Sequence, residues 1–304
     1  MSRGIGGVEV VQQYLPEWGA VVLALLTQLG DIWFLATVFA ALYWFGVPNR
    51  DDVATLAGVW LSGIGLYNGL KELFGFPRPD RPLLETELLP PVVQPLYEAT
   101  AFATGYGFPS GHAVNVTIVY VGLAALLPVG TARTRFGAAA AVVATVSFTR
   151  VALGVHYVID VVVGVAVGLT LLAGTWHLVR RLPVDGATVS FGLAVVFGGF
   201  FLATLGTDAA IEGFAVLGAA LGAFGGWQLV ALERHLGAEP RSTRRSALRS
   251  RPAAVRGGLA ALALLPLLTA LALVVLSSAY AAGGAAGLAT AAAVFVPTRF
   301  SSRR

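Results

Sequence analysis

Nine long apolar stretches, separated by short polar or Pro- and Gly-rich connections, leave this chain little choice of fold. They run at roughly 19–46, 53–74, 113–130, 136–154, 157–179, 187–206, 209–232, 257–280 and 284–298. About 20 mostly apolar residues cross a bilayer as a helix, and a helix satisfies its own backbone where lipid cannot. The expected fold is therefore all-α, a polytopic transmembrane helical bundle of about nine spans. Composition excludes a water-soluble alternative. Only 12% of the residues are charged and 57% are hydrophobic, whereas soluble domains carry about 25% charged residues. Gly283-Gly284 is the expected turn between the last two spans, and Pro266 is expected to kink the eighth. Residues 6–17 are too short and polar to cross, and are expected to form an interfacial helix. Met1 to Gly7 has no apolar region of the signal-peptide kind behind it, so no cleavable leader is expected. With no cysteine there is no disulfide framework.

Arginine sets the expected orientation, because cytoplasmic loops collect Lys and Arg. One set of helix ends carries Arg50, Arg133, Arg135, Arg180, Arg181, the run from Arg234 to Arg256, Arg299, Arg303 and Arg304. The opposite set carries only Arg3, Lys71, Arg78, Arg81 and Arg150, against a larger group of acids that includes Glu72, Glu85, Glu87, Glu98 and Asp160. The first side is expected to be cytoplasmic and the second to face outward. The basic run 241–251 reads as a topology anchor at anionic headgroups rather than a nucleic-acid site. Gly164 and Gly168, and Gly218, Gly222 and Gly226, recur every four residues and are expected to serve close helix packing.

Three polar pieces interrupt this apolar chain on the outward side. They are Lys71 with Arg78-Pro79, then Pro109-Ser110-Gly111-His112, then Thr149-Arg150 with His156 and Asp160. Taken singly, each has a bland explanation: Pro-Ser-Gly is an ordinary helix start with serine as cap. Taken together they supply three cations, two histidines, one carboxylate and a Ser-Gly turn, the set needed to hold and break a phosphate ester. Such a transition state keeps its charge on the equatorial oxygens, so positioning and charge stabilisation do most of the work. Arg78 and Arg150 offer bidentate forks and Lys71 a mobile point charge. Ser110 and Gly111 open a helix whose N-terminus favours anions. His156 and Asp160, at i and i+4, would share one helix face, so the carboxylate can fix the imidazole tautomer. The freed ring nitrogen can then attack phosphorus. His112, in the first turn of its helix, can protonate the leaving oxygen. No Asp/His/Glu cluster of metal-ligand spacing accompanies them, so neither a metal nor another cofactor is expected. The stretch 75–112 is long and rich in proline. It is expected to form a lid or entry wall, with Tyr97, Phe102, Tyr106 and Phe108 at the headgroup level.

These pieces resemble the signature of the type 2 phosphatidic acid phosphatase superfamily, which also includes the vanadium haloperoxidases. That signature is Lys, six residues, Arg-Pro; Pro-Ser-Gly-His; and Ser-Arg, five residues, His, three residues, Asp. The departure here is Thr149 for serine, which keeps the hydroxyl. The resemblance covers roughly residues 20–180. It implies His156 as a nucleophile forming a phosphohistidine, Asp160 as its orienting partner and His112 as general acid. Lys71, Arg78, Ser110, Gly111 and Arg150 would bind phosphate. Thr27, Leu29 and Gly30 match a weaker Thr-x-Leu-Gly pattern seen in lipid phosphatases of this kind. The implied division is a family-like core over 1–182, with the interfacial helix, and additional helices of unassigned role over 183–304.

The implied function is hydrolysis of a lipid phosphate or pyrophosphate monoester at the outer face of the cell membrane, without metal. Phosphorylated lipid and membrane lipid are the expected partners, and no nucleic acid is. A lipid phosphotransferase would use the same site with an alcohol in place of water. A haloperoxidase would hold vanadate there, which nine spans disfavour. A transporter-like protein carrying the motif without catalysis is the remaining alternative.

Overall fold

The computed structural model describes residues 7–16, 18–47, 49–79, 82–205, 211–238, 251–272 and 278–301. The run 241–250, the first six residues, and Glu17, Asp80, Arg81 and Asp208 lie outside them, so the anchor and leader expectations do too. Most of the described residues are helical, and none of them is in a strand. In chain order the helices are α1 (Gly7–Gln12), α2 (Gly19–Thr27), α3 (Ile32–Phe45), α4 (Arg50–Phe74), α5 (Gln94–Ala101) and α6 (Gly111–Leu126). There follow α7 (Ala132–Ala152), α8 (Val158–Arg181), α9 (Gly186–Thr204), α10 (Ile211–Gly237), α11 (Arg251–Ala272) and α12 (Ser278–Ser301). Seven of these are long and apolar enough to cross a membrane, or eight if the pair α2–α3 counts as one bent span. The chain is a polytopic helical membrane protein.

Two local expectations need correction, and two more gain detail. The stretch 19–46 is not one straight helix: it bends by 45° after the 3-10 turn Gln28–Gly30. Asp31 is extended there and its Oδ1 accepts the N–H of Ile32, starting α3 afresh. Gly283 and Gly284 are not a turn but lie inside α12, where Gly283 backs onto the Phe214 carbonyl of α10. Missing side chains here serve close packing rather than chain reversal. The N-terminal helix, expected to be interfacial, is only six residues long, and its Val8 is buried with Ala113, Val151 and Val161. Tyr97, expected among the headgroup aromatics, is instead buried within the protein. It is 1% exposed, packed among Leu23, Leu89, Ala152 and Leu153, with its hydroxyl bonded to both polar groups of the Leu84 backbone. Phe102 and Tyr106 do stay exposed.

By its contacts the chain forms two compact units, Met1–Ala41 with Leu70–Gly174, and Leu42–Gly69 with Thr175–Arg304. These units are defined by packing, whereas the division expected at residue 182 concerns relatedness. In the first unit α7 packs against α2 and α6, and α2 against α5. Gly164 and Gly168 of α8 admit α6. A Cβ on Gly164 would stand 2.7 Å from the Ser110 carbonyl, and one on Gly168 would stand 2.8 Å from Thr117 Cβ. Residues Thr117–Val121 of α6 form a π turn, a local widening often found near functional sites.

In the second unit the glycine stripe of α10 meets a second one on α12. A Cβ on Gly218 or Gly222 would run into the carbonyls of Gly283 and Gly287. A polar knot ties three helices of this unit. Asp185 caps α9 through the Thr188 N–H at 2.8 Å, and accepts Trp227 Nε1 at 2.6 Å and Arg256 Nη2 at 2.9 Å. Arg256 also reaches Thr188 Oγ1 and Gln228 Oε1. Burial alone would push the Asp185 carboxyl up, but hydrogen bonds from the Thr188 backbone, Arg256 and Trp227 hold it below its ordinary range.

Candidate active site

All eight residues singled out in the sequence belong to the first unit. Lys71 stands in the last turn of α4, and Gly75, at φ +59°, ends that helix by returning its N–H to the Lys71 carbonyl. The chain then turns to Arg78. Its Nε donates to the carbonyls of Thr104 and Gly105, both at 3.2 Å, and its Nη1 to the Val155 carbonyl at 3.0 Å. The same Nη1 is 3.2 Å from His156 Nε2. An arginine has no proton acceptor to offer, so Nε2 must be the unprotonated ring nitrogen. The ring proton is therefore on Nδ1, which lies 3.5 Å from Asp160 Oδ2.

That distance is long for a hydrogen bond, and the reason is local. His156 is not on a helix with Asp160, as the i, i+4 spacing suggested, but in the turn before α8, which begins at Val158. Asp160 Oδ2 also accepts the Tyr157 N–H at 2.9 Å. The turn itself hangs on the Arg150 carbonyl, which accepts the N–H groups of Val155 and His156, both at 3.2 Å. Gly154, at φ +73°, allows the reversal. His156 and Asp160 are 2% and 0% exposed.

Ser110 is the residue before α6, yet its side chain makes no capping bond. Its N–H donates to the Asp160 carbonyl at 2.9 Å, fastening the start of α6 to the start of α8. The hydroxyl is buried with no hydrogen-bond partner. His112 Nε2 and Arg150 Nε are buried and unpartnered as well. Buried polar atoms are nearly always paired. These three exceptions, from two of the three segments, therefore leave room for a polar ligand between them. Both imidazoles lie in the field of Lys71, Arg78 and Arg150. For His156, burial first and then the charges of Arg78, Arg150, Lys71 and His112 push the ring well below its ordinary range. Its neutral, nucleophilic form is thus the resting one. Among the described residues no group of three or more His, Cys, Asp or Glu is arranged to hold a metal ion.

Two residues noticed only as a weak pattern touch this site. Thr27, the last residue of α2, accepts Arg150 Nη1 at 2.9 Å. Gly30 leaves no room for a side chain: a Cβ would stand 2.9 Å from Val116, 3.0 Å from Val146 and 3.1 Å from His112 Cδ2. The carbonyls that hold Arg78 carry no side-chain signature, and spacing alone could not reveal them.

Residues 52–183 match the sequence profile of the PAP2 superfamily. The lipid phosphate phosphatase delta of Arabidopsis thaliana is 27% identical over 194 residues, 60% of this chain and 44% of that protein. The chain thus spans less than half the length of that relative. A solved transmembrane PAP2-type phosphatidylglycerolphosphate phosphatase from Bacillus subtilis has 24% identity and a TM-score of 0.47, over 58% of this chain and 84% of its own. The profile encloses every piece from Lys71 to Asp160 and leaves α2 and α3 outside it. The similarity to the PAP2 superfamily thus takes in residues 52–183 of this chain.

Proposed function

We propose that this protein is a membrane phosphatase that hydrolyses the phosphate or pyrophosphate monoester of a lipid, through a phosphohistidine on His156, at the outer face of the cell membrane. The observation that carries the reading is the set of buried, unpartnered atoms Ser110 Oγ, His112 Nε2 and Arg150 Nε, in the field of three cations. A phosphoryl group supplies the acceptors that Ser110 and Arg150 lack, and the negative charge that Lys71, Arg78 and Arg150 favour. Residues 1–182 would form the catalytic core, and 183–304 additional helices with no role in the chemistry.

In the resting site Arg78 Nη1 covers the lone pair of His156 Nε2. An arriving phosphate draws that fork onto its own oxygens and uncovers the nucleophile. Nε2 then bonds to phosphorus as the ester P–O bond breaks, while Asp160 stabilises the positive ring through Nδ1–H. The bound phosphate offsets the three cations and lets His112 hold the proton it gives to the leaving oxygen. In the second step His112 takes a proton from water, the oxygen attacks phosphorus, and the P–N bond breaks to release inorganic phosphate and free His156. Three basic side chains neutralise the equatorial oxygens, as a divalent ion does elsewhere, so no metal is required.

The test is phosphate release from a panel of phosphatidate, glycerophosphate-headgroup and polyprenyl mono- and pyrophosphates in detergent, with and without EDTA. We expect release that survives chelation and is inhibited by vanadate. Activity lost with EDTA and restored by magnesium would overturn the metal-free mechanism. No release from any lipid would overturn the function.

A further inference from the structure

We propose that Thr27 is a positioning residue of the active site, aiming the Arg150 guanidinium at the substrate phosphate; this rests on the phosphatase reading above. The bond joins residues far apart in sequence: Arg150 Nη1 donates to Thr27 Oγ1 at 2.9 Å, with Thr27 0% and Arg150 3% exposed. A buried guanidinium normally has a carboxylate opposite it. A carboxylate would hold Arg150 in place but cancel the charge that makes it useful to a phosphate. A hydroxyl orients the fork and leaves its charge whole. Arg150 Nε stays buried and unpartnered beside that bond, so the fork is held on one side and free on the other.

The placement of Thr27 has a local cause. It closes α2 just before the 3-10 turn Gln28–Gly30, where the helix bends by 45°. The break brings Gly30 against His112 and Thr27 against Arg150 at once. Tyr120 of α6 ties the same turn down, donating its hydroxyl proton to the Leu29 carbonyl at 3.0 Å. Asp31, at the far end of the break, is an acid whose field reaches Arg150. Its Oδ1 accepts the Ile32 N–H. The broken helix is thus a bracket that sets one cation and one histidine of the site, and Thr27 is its contact to the cation.

The experiment uses the full-length protein in detergent and two readouts, orthovanadate affinity per folded protein and kcat/KM on a lipid phosphate. Thr27→Val is nearly isosteric and removes only the hydroxyl function. A hydrogen bond to a charged group corresponds to roughly 10–100-fold in an equilibrium constant, so vanadate binding should weaken by about tenfold or more. Thr27→Ser should restore both readouts to within about twofold of wild type. In an Arg150→Lys background, Thr27→Val should add little, because residues acting through one contact are not additive. If Thr27→Val does not fold, Thr27→Ala takes its place in the same comparison. Unchanged vanadate affinity in a folded Thr27 variant, or full additivity with Arg150→Lys, would overturn the inference while leaving the phosphatase reading intact. Vanadate binding that depends on Thr27 in a protein releasing no phosphate from lipid would do the reverse. A wild-type protein that neither binds vanadate nor releases phosphate would overturn both.

Discussion

Arg78 donates to four acceptors, three backbone carbonyls and the imidazole of His156. In the proposed mechanism that arrangement couples the nucleophile to the charge that binds its target, with a consequence for pH. Burial and then Arg78, ahead of the other charges, depress the His156 pKa. A depressed pKa keeps the ring neutral as pH falls, so the acid limb of kcat/KM should lie below the ordinary histidine range. In Arg78→Gln the limb should move up toward neutrality when measured on the same substrate, whose own ionisation is common to both profiles. A limb that stays put would separate Arg78 from the nucleophile. The two histidines should also behave differently. His156→Ala should abolish turnover and any trapped phosphoenzyme. His112→Ala should lose roughly 10²–10⁴-fold on a lipid ester, the usual worth of a general acid. It should lose far less on an aryl phosphate with an acidic phenol, which leaves without a proton. Equal losses on both substrates would show that His112 does something other than protonate.

The helices are legible from composition alone, but their fit to one another rests on where side chains are missing. Gly222 of α10 has no space for a methyl group, since a Cβ there would run into the Gly287 carbonyl of α12. Gly199 of α9 has nothing within 4 Å of the same position. Alanine is the better helix former by about 1 kcal/mol, so Gly199→Ala should raise thermal stability slightly. Gly222→Ala must push the α10 and α12 backbones apart, and overpacking of this kind costs about 1–3 kcal/mol. Its unfolding midpoint in detergent should fall, and a midpoint equal to that of Gly199→Ala would mean that α10 and α12 are not in such close contact. At the element scale the sequence also misled. A Gly-Gly pair reads as a turn, and here it is a seat for a neighbouring helix.

Leu88 lies in the stretch 75–112, expected to face outward, and is 64% exposed, while Val129, between α6 and α7, is 71% exposed. The arginine asymmetry assigns them to opposite faces of the membrane. Because the chain has no cysteine, Leu88→Cys and Val129→Cys each carry a single reporter. On intact cells an impermeant maleimide should label the first, and the second only after permeabilisation. The opposite pattern would turn the site toward the cytoplasm and change the leaflet that supplies substrate. The molecule as a whole divides by packing into units that cut across the sequence, with α3, α4 and α8 each contributing to both. A single helix can therefore carry Lys71 at one end and structural glycines, such as Gly58 against Ser190, further along.

What the sequence by itself determined is what local chemistry and repetition can encode. Uninterrupted apolar length demanded membrane helices, and charged residues that lipid would otherwise exclude marked the three pieces of the site. Only the tertiary structure decided how those pieces act on each other. It left the Ser110 hydroxyl free of capping, buried Tyr97, drew His156 off its helix and laid Arg78 on its ring. It also broke the first span so that Thr27 meets Arg150, 123 positions away. Contacts of that separation depend on backbone carbonyls and on the shapes of neighbouring helices. The carbonyls leave no trace in residue type or spacing, and the helix shapes leave only the partial one of the glycine stripes.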